Sequence, residues 1–166
     1  MSIEPRDQEA SAQWQRPAQA QSQQHAAALE RLVRFYETIS LTSVRTGLGD
    51  IYAGDARFKD PFNEVAGLDA IGEIFEHMFD QVGNPRFVVK VRVLQDGHAF
   101  ITWDFLFFIK RMPAREQCVR GATHLEFDAV GKVSLHRDYW DVAEELYEKL
   151  PVLGGLMRLL KRLSNR

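Results

Sequence analysis

The chain has 166 residues, a formal net charge of −2 and a hydrophobic fraction of 45%. This length supports one domain with a full core, and the near-neutral charge argues against nucleic acid as a partner. The single cysteine, Cys118, excludes an internal disulfide framework and suits a reducing compartment. No apolar run approaches the roughly 20 residues of a membrane span. The first residues are acidic and unlike a signal peptide, so we predict a cytoplasmic protein.

The first 24 residues are rich in Gln, Ala and Ser and lack periodic large apolar side chains. We predict a disordered arm over residues 1–24, with order beginning near His25. One face of a helix is then predicted by the spacing of Leu29, Leu32, Val33 and Tyr36. The glycines between 47 and 49 predict a break after it, followed by a short strand that Pro61 ends.

An apolar stripe from Ile71 to Val82 predicts the clearest helix of the chain. After it the hydrophobic period changes to two, and Asp96-Gly97 is a tight-hairpin signal. Four strands are predicted: Phe87–Leu94, Ala99–Lys110, Gln117–Phe127 and Lys132–Trp140. Helices followed by antiparallel strands indicate an α+β domain, in which a bent antiparallel sheet carries helices on one face.

The C-terminal part begins with a capping pair, Asp141 and Glu144, that predicts a helix over residues 142–150. This places the domain at residues 25–150, and Pro151 separates it from a basic amphipathic tail over 151–166. The tail has two interpretations. It could cover the domain or form a dimer seam, or it could make weak, reversible contact with an anionic membrane surface.

Several polar side chains are predicted to face a pocket between the helices and the sheet, because residues two apart share one face of a strand. His136, Asp138 and Trp140 share a face of the last strand, and Thr123 lies on the strand before it. Asp104 lies within the most hydrophobic strand, next to Trp103. The register leaves two positions open for Asp104: in the pocket, or on the outer face, where it could pair across a dimer interface.

Two pairs of residues invite a metal interpretation, since His124 with Glu126 and His136 with Asp138 each share a strand face. The sequence has no His-x-x-x-His motif and no pair of cysteine ligands, so we predict no metal. A phosphate-cradling glycine loop is also missing from the sequence, and we predict no organic cofactor.

The segment from Phe35-Tyr36 to Phe58-Lys59-Asp60-Pro61 resembles the corresponding part of ketosteroid isomerases. These enzymes belong to the SnoaL-like, nuclear transport factor 2-like superfamily of cone-shaped α+β proteins. The strands around Thr123–Phe127 and Gly131–Val133 resemble the pair that closes the cone, and the likeness covers residues 26–142. It implies a cone-shaped sheet with helices packed on its concave face, and a homodimer.

The resemblance also implies roles for individual residues. Asp60 would be the general base next to a substrate carbonyl, and Tyr36 would donate a hydrogen bond to the enolate oxygen. Thr123 stands where the isomerases carry a second, protonated aspartic acid, so a different ligand or reaction is implied. From the residues alone, Asp60 can equally be a turn-forming residue before proline, and Tyr36 a core tyrosine.

Two hypotheses follow for the function. The first is a cofactor-free isomerase, cyclase or hydrolase that acts on a small apolar molecule. It would use Asp60 or Asp138 as the base, Tyr36 and Thr123 as hydrogen-bond donors, and Trp140 as a wall of the pocket. The second is a noncatalytic module that binds a ligand or forms a dimeric scaffold.

Overall fold

The computed structural model describes residues 5–110 and 112–142, and the side chains of residues 19–110 and 115–142. Three helices and six strands follow one another along the chain. The helices are α1 (Pro5–Glu37), α2 (Leu41–Ile51) and α3 (Leu68–Gln81). The strands are β1 (Tyr52–Lys59), β2 (Glu64–Ala66), β3 (Val82–Gln95), β4 (His98–Ile109), β5 (Met112–Phe127) and β6 (Val133–Tyr139).

Helix α1 starts well before His25, where the sequence analysis expected order to begin. Residues 5–24 continue the same helix, in place of the predicted disordered arm. Ala and Gln favour helix by intrinsic propensity, whereas the prediction used large apolar residues as its signal. The buried face of α1 is the predicted one, comprising Leu29, Leu32, Val33 and Tyr36.

Helix α2 begins with a reciprocal cap, in which Ser40 and Ser43 each accept a hydrogen bond from the other's backbone N–H. The predicted break at the glycines is wrong, because the helix continues through them to Ile51. Gly47 packs near the ring of Phe35, and Gly49 packs near Leu68. A Cβ at either position would lie 3.7–3.8 Å from these neighbours, which is an ordinary contact, so the packing does not require glycine.

The six strands form one sheet in the order β2-β1-β6-β5-β4-β3. The four long strands predicted from period two are present as β3 to β6, and their pairing is antiparallel. The turn between β3 and β4 has positive φ at both Asp96 and Gly97, as the hairpin signal predicts. The sheet as a whole is mixed, because β1 runs parallel to β6.

The core lies between the helices and the concave face of this curved, unclosed sheet. Strand β4 shows the alternation: Ile101, Trp103 and Phe107 are buried on the inner side, whereas Phe100 is half exposed on the other. Buried side chains of α1, α2 and α3 cover the inner side. The fold is thus the predicted α+β cone with helices on the concave face.

All but the first residue of the predicted helix over residues 142–150, and all of the basic tail over 151–166, lie outside the described residues. Within the part of the chain that the structure describes, no helix is long and apolar enough to cross a bilayer.

Candidate active site

A pocket of about 200 Å³ lies between α3 and the concave face of the sheet. Its wall is mainly aromatic and aliphatic. The side chains that line it are Phe58, Ile74, Phe75, Met78, Phe87, Trp103, Phe105, Phe107, Val119 and Trp140, together with the carboxylates of Asp60 and Asp138. Asp60, Asp138 and Trp140 also line an adjoining depression of about 530 Å³, so these three residues mark the mouth. The arrangement suits an apolar guest with one polar group directed at a carboxylate.

A chain of buried polar side chains runs from α1 across the sheet to this pocket. The hydroxyls of Tyr36 and Tyr52 are 2.5 Å apart, and the Tyr52 hydroxyl lies 2.8 Å from Nδ1 of His136. Nε2 of His136 lies 2.9 Å from Oδ1 of Asp138. The chain therefore connects two phenols through an imidazole to a carboxylate at the pocket wall.

A second branch reaches Asp138 from the sheet. The indole N–H of Trp103 donates to Oγ1 of Thr123 at 2.8 Å, and the Thr123 hydroxyl donates to Oδ1 of Asp138 at 2.5 Å. Gly121 leaves the space for this indole, since a Cβ at that position would lie 2.4 Å from the Trp103 ring. Both branches meet on Oδ1, so Oδ2 is the oxygen of Asp138 that they leave for a ligand.

Burial determines the protonation of the phenols. It raises the pKa of Tyr36 well above its usual value of about 10, and it also raises the pKa of Tyr52. Both hydroxyls therefore keep their protons and act as hydrogen-bond donors. With Tyr36 donating to Tyr52 and Tyr52 donating to Nδ1 of His136, the proton of the imidazole lies on Nε2 and is donated to Asp138.

Asp138 is thus the common acceptor of the network. Its Oδ1 accepts from both Thr123 and His136, which fixes the orientation of the carboxylate. The side chain is only 17% exposed, and it faces both the main pocket and a small inner void of about 30 Å³. An oriented, largely buried carboxylate at an apolar wall can accept a proton from a bound molecule.

Asp60 has a different environment. Its Oδ1 accepts hydrogen bonds from the backbone N–H groups of Phe62 and Asn63, at 2.7 and 2.6 Å. The amide of Asn63 donates to both carboxylate oxygens at 3.0 Å. Asp60 therefore stabilises the turn after β1, which was the alternative interpretation of the Asp-Pro pair, while it also lies at the mouth of the pocket.

Asp104 does not line the pocket, which was one of the two positions that the sequence left open for it. It lies on the outer face of β4, 3.2 Å from the Lys90 ammonium, and its side chain is 29% exposed. The preceding residue, Trp103, faces inward, and a strand alternates its faces. Of the other predicted residues, Trp103, Asp138 and Trp140 line the pocket, whereas Thr123 and His136 line the small inner void next to it.

Tyr52 was not among the residues predicted from the sequence. This tyrosine is fully buried and connects Tyr36 to His136. The first residue of β1 is opposite Val133, in the strand that carries His136. No local motif marks this position, because the parallel pairing of β1 and β6 joins segments that are distant in sequence.

The comparisons with known proteins agree with this fold. The SnoaL-like domain family matches residues 29–136, which is more than half of the chain. A hypothetical protein with a ketosteroid isomerase-like fold from Catenulispora acidiphila is 16% identical with a TM-score of 0.62, and the match covers 72% of this chain and 88% of that one. No curated protein matches the sequence.

Two further solved structures have similar backbones. A putative SnoaL-like polyketide cyclase from Jannaschia sp. is 12% identical with a TM-score of 0.61, and the match covers 75% of this chain and 90% of that one. An LEH-like epoxide hydrolase from M. tuberculosis is 16% identical with a TM-score of 0.61, with 85% and 98% covered. At these identities the similarity establishes the fold alone.

Proposed function

The chain belongs to the SnoaL-like family, and from that premise we propose a cofactor-free enzyme that transfers a proton to or from a small apolar substrate. The observation that supports this proposal is the position of Asp138. It is the carboxylate on which two buried hydrogen-bond branches converge, at the wall of an aromatic pocket. A base held in this way is oriented before the substrate arrives, so little reorganisation is needed during the reaction.

Each member of the network has a role in this proposal. Asp138 accepts the proton through Oδ2, and His136 and Thr123 hold its Oδ1. Tyr52 fixes the tautomer of His136, and Tyr36 donates to Tyr52. Tyr36 is therefore a positioning residue, unlike the enolate donor implied by the resemblance to ketosteroid isomerases.

The size of the pocket limits the substrate. An engineered cavity of about 150 Å³ in another protein holds benzene, so about 200 Å³ suits one substituted ring or a branched chain of similar volume. Isomerisation, cyclisation and epoxide opening all begin or end with a proton transfer that one carboxylate can perform. The printed names of the structural neighbours include a polyketide cyclase and an epoxide hydrolase, which supports this range of reactions.

Ligand binding tests the pocket directly. We expect acetophenone or styrene oxide to bind inside it and to change the fluorescence of Trp103, which lines the wall. Val119→Phe adds volume to the same wall and should abolish this binding, at a cost of about 1–3 kcal/mol in stability from overpacking. The measurement is a fluorescence titration with a parallel urea denaturation curve for each variant.

The matched control is Val130→Phe, which makes the same substitution at an exposed turn between β5 and β6. It should bind both compounds like the unmodified protein. If Val119→Phe stays folded and binds equally well, the ligand occupies another site and the proposed pocket is wrong.

A noncatalytic binding module is the second candidate. Two observations favour it: Asp60 is engaged in its own turn, and the Tyr36 hydroxyl donates within the protein. Such a protein would bind the ligand without converting it. Turnover measurements on the same compounds separate this candidate from the enzyme.

We also propose that the partner of the outer sheet face is a second copy of the chain. Exposed apolar side chains gather there from three strands: Val91 and Val93 on β3, Phe100 on β4 and Tyr139 on β6. Burying such a patch favours association.

Sedimentation equilibrium should give a dimer that the double change Val91→Lys, Val93→Lys converts to a monomer. Val130→Lys is the control, and a monomeric unmodified protein at about 100 µM would refute the proposal.

A further inference from the structure

Three metal-ligating side chains meet on the outer face of the sheet, on the opposite side from the pocket. His98 is the first residue of β4, and His124 and Glu126 lie two apart on β5. In the register of these strands, His98 is opposite Glu126, and His124 is one pair further along the same face. One potential ligand atom from each residue lies within 4.8 Å of the other two.

The distances fit a common ion. Nδ1 of His98 and Nε2 of His124 are 3.2 Å apart, whereas two nitrogens on a tetrahedral Zn²⁺ are about 3.3 Å apart. Oε1 of Glu126 lies 3.9 Å from the same His98 nitrogen. It must move about half an ångström closer to that nitrogen for both atoms to bind one Zn²⁺. The rings of His98 and His124 are stacked. The exposed imidazole of His98 therefore has to rotate before the nitrogen lone pairs of both rings can point at one ion.

The backbone and one aromatic neighbour hold His124 in place. The ring of Phe100 stacks on it, with centroids 4.5 Å apart and planes at 8°. Strands β4 and β5 are paired without interruption from His98 to Phe108. Binding would therefore order mainly His98 and the Glu126 carboxylate, which keeps the entropic cost small.

Three basic residues, Arg57, Lys59 and Arg137, share a surface depression with His124, so the negative charge of Glu126 is needed beside them. Arg137 is opposite His124 on β6, but its guanidinium lies over the ring of Tyr139, 5.0 Å from the centroid. The carboxylate of Glu126 supplies the negative charge that two neutral imidazoles lack. Imidazole and carboxylate ligands suit Zn²⁺ and its neighbours among the transition metals, with one position left for water.

We propose that His98, His124 and Glu126 form a Zn²⁺ site on the outer face of the sheet. The ion would cross-link the start of β4 to β5, next to the Asp96-Gly97 hairpin. This site is independent of the pocket, because its ligands lie on the opposite face from Asp138. No metal was predicted, because the sequence has no His-x-x-x-His motif and no pair of cysteine ligands. The pair on β5 gains its third ligand only through strand pairing.

The test is a calorimetric titration of the chelator-treated full chain with ZnCl₂, followed by the visible spectrum with Co²⁺. We expect one ion per chain and a dissociation constant below about 100 µM. His98→Asn and His124→Asn should each weaken binding at least about ten-fold, and Glu126→Gln should weaken it less. The Co²⁺ complex should show d–d bands that these variants lose.

Two controls separate this site from other ligands of the chain. His77→Asn removes an exposed histidine on α3, and Cys118→Ser removes the single thiol. Both should bind Zn²⁺ like the unmodified protein. The proposal is refuted if the unmodified chain binds no tighter than about 1 mM, or if tight binding survives His124→Asn while that variant keeps its thermal stability.

Discussion

Asp138→Asn should lower turnover by about 10²- to 10⁴-fold, which is the usual contribution of a positioned general base. Asparagine retains an oxygen at the Oδ1 position, so the hydrogen bonds from Thr123 and His136 can persist and the fold should be preserved. The amide has no basic oxygen to accept a substrate proton. The expected defect is therefore in kcat, with ligand affinity nearly unchanged.

Two reactions are used to measure turnover by Asp138→Asn and by the unmodified chain. For acetophenone, proton abstraction is followed as deuterium exchange of the methyl group in D₂O by NMR; for styrene oxide, ring opening is followed by chromatography. The unmodified chain should accelerate at least one of them. Equal rates for Asp138→Asn and the unmodified chain would exclude Asp138 as the base. Tight binding without acceleration of either reaction would favour the binding module.

Asp60→Asn is the matched control for this experiment, since it makes the same chemical change at the other carboxylate of the pocket mouth. An asparagine can still accept the hydrogen bonds from the Phe62 and Asn63 backbone that hold the turn. We expect most of the turnover to remain. A loss as large as that of Asp138→Asn would restore Asp60 to the role implied by the resemblance to ketosteroid isomerases.

Local patterns in the sequence were sufficient for most of the fold. The stripe from Ile71 to Val82 and the strands with period two correspond to α3 and to β3 through β6. The resemblance based on Tyr36 and Asp60 is confirmed at the level of family and fold. The faces of β6 were also predictable, because residues two apart share a side, and His136 and Asp138 do lie together.

Long-range pairing determines the features that were missed. Tyr52 reaches His136 only because β1 pairs with β6, and His98 reaches Glu126 only through the register of β4 and β5. The position of Asp104, in the pocket or on the outer face, depended on which face of a largely apolar strand points inward. A strand with hydrophobic residues on both sides does not reveal this from its sequence.

The buried phenols predict marked alkaline lability. Tyrosine in an unfolded chain has a pKa of about 10, and burial raises the pKa of both Tyr36 and Tyr52 above it. Above pH 10 the unfolded chain has therefore released two protons that the folded chain retains. The free energy of unfolding should fall by about 1.4 kcal/mol per pH unit for each phenol, or about 2.7 for the pair. Below pH 10 both states are neutral at these groups, and the phenols contribute no slope.

Urea denaturation at half-unit steps from pH 9 to pH 11, with absorbance at 295 nm, measures this effect. Tyr52→Phe should remove about half of the excess slope, although it also lowers stability at pH 8 by about 1–3 kcal/mol, because Nδ1 of His136 then has only the Tyr36 hydroxyl, 3.4 Å away, as a donor. Ionisation of both buried phenols near pH 10 in the folded protein would contradict the network, because the hydroxyls would then be accessible to water and unable to hold the imidazole that orients Asp138.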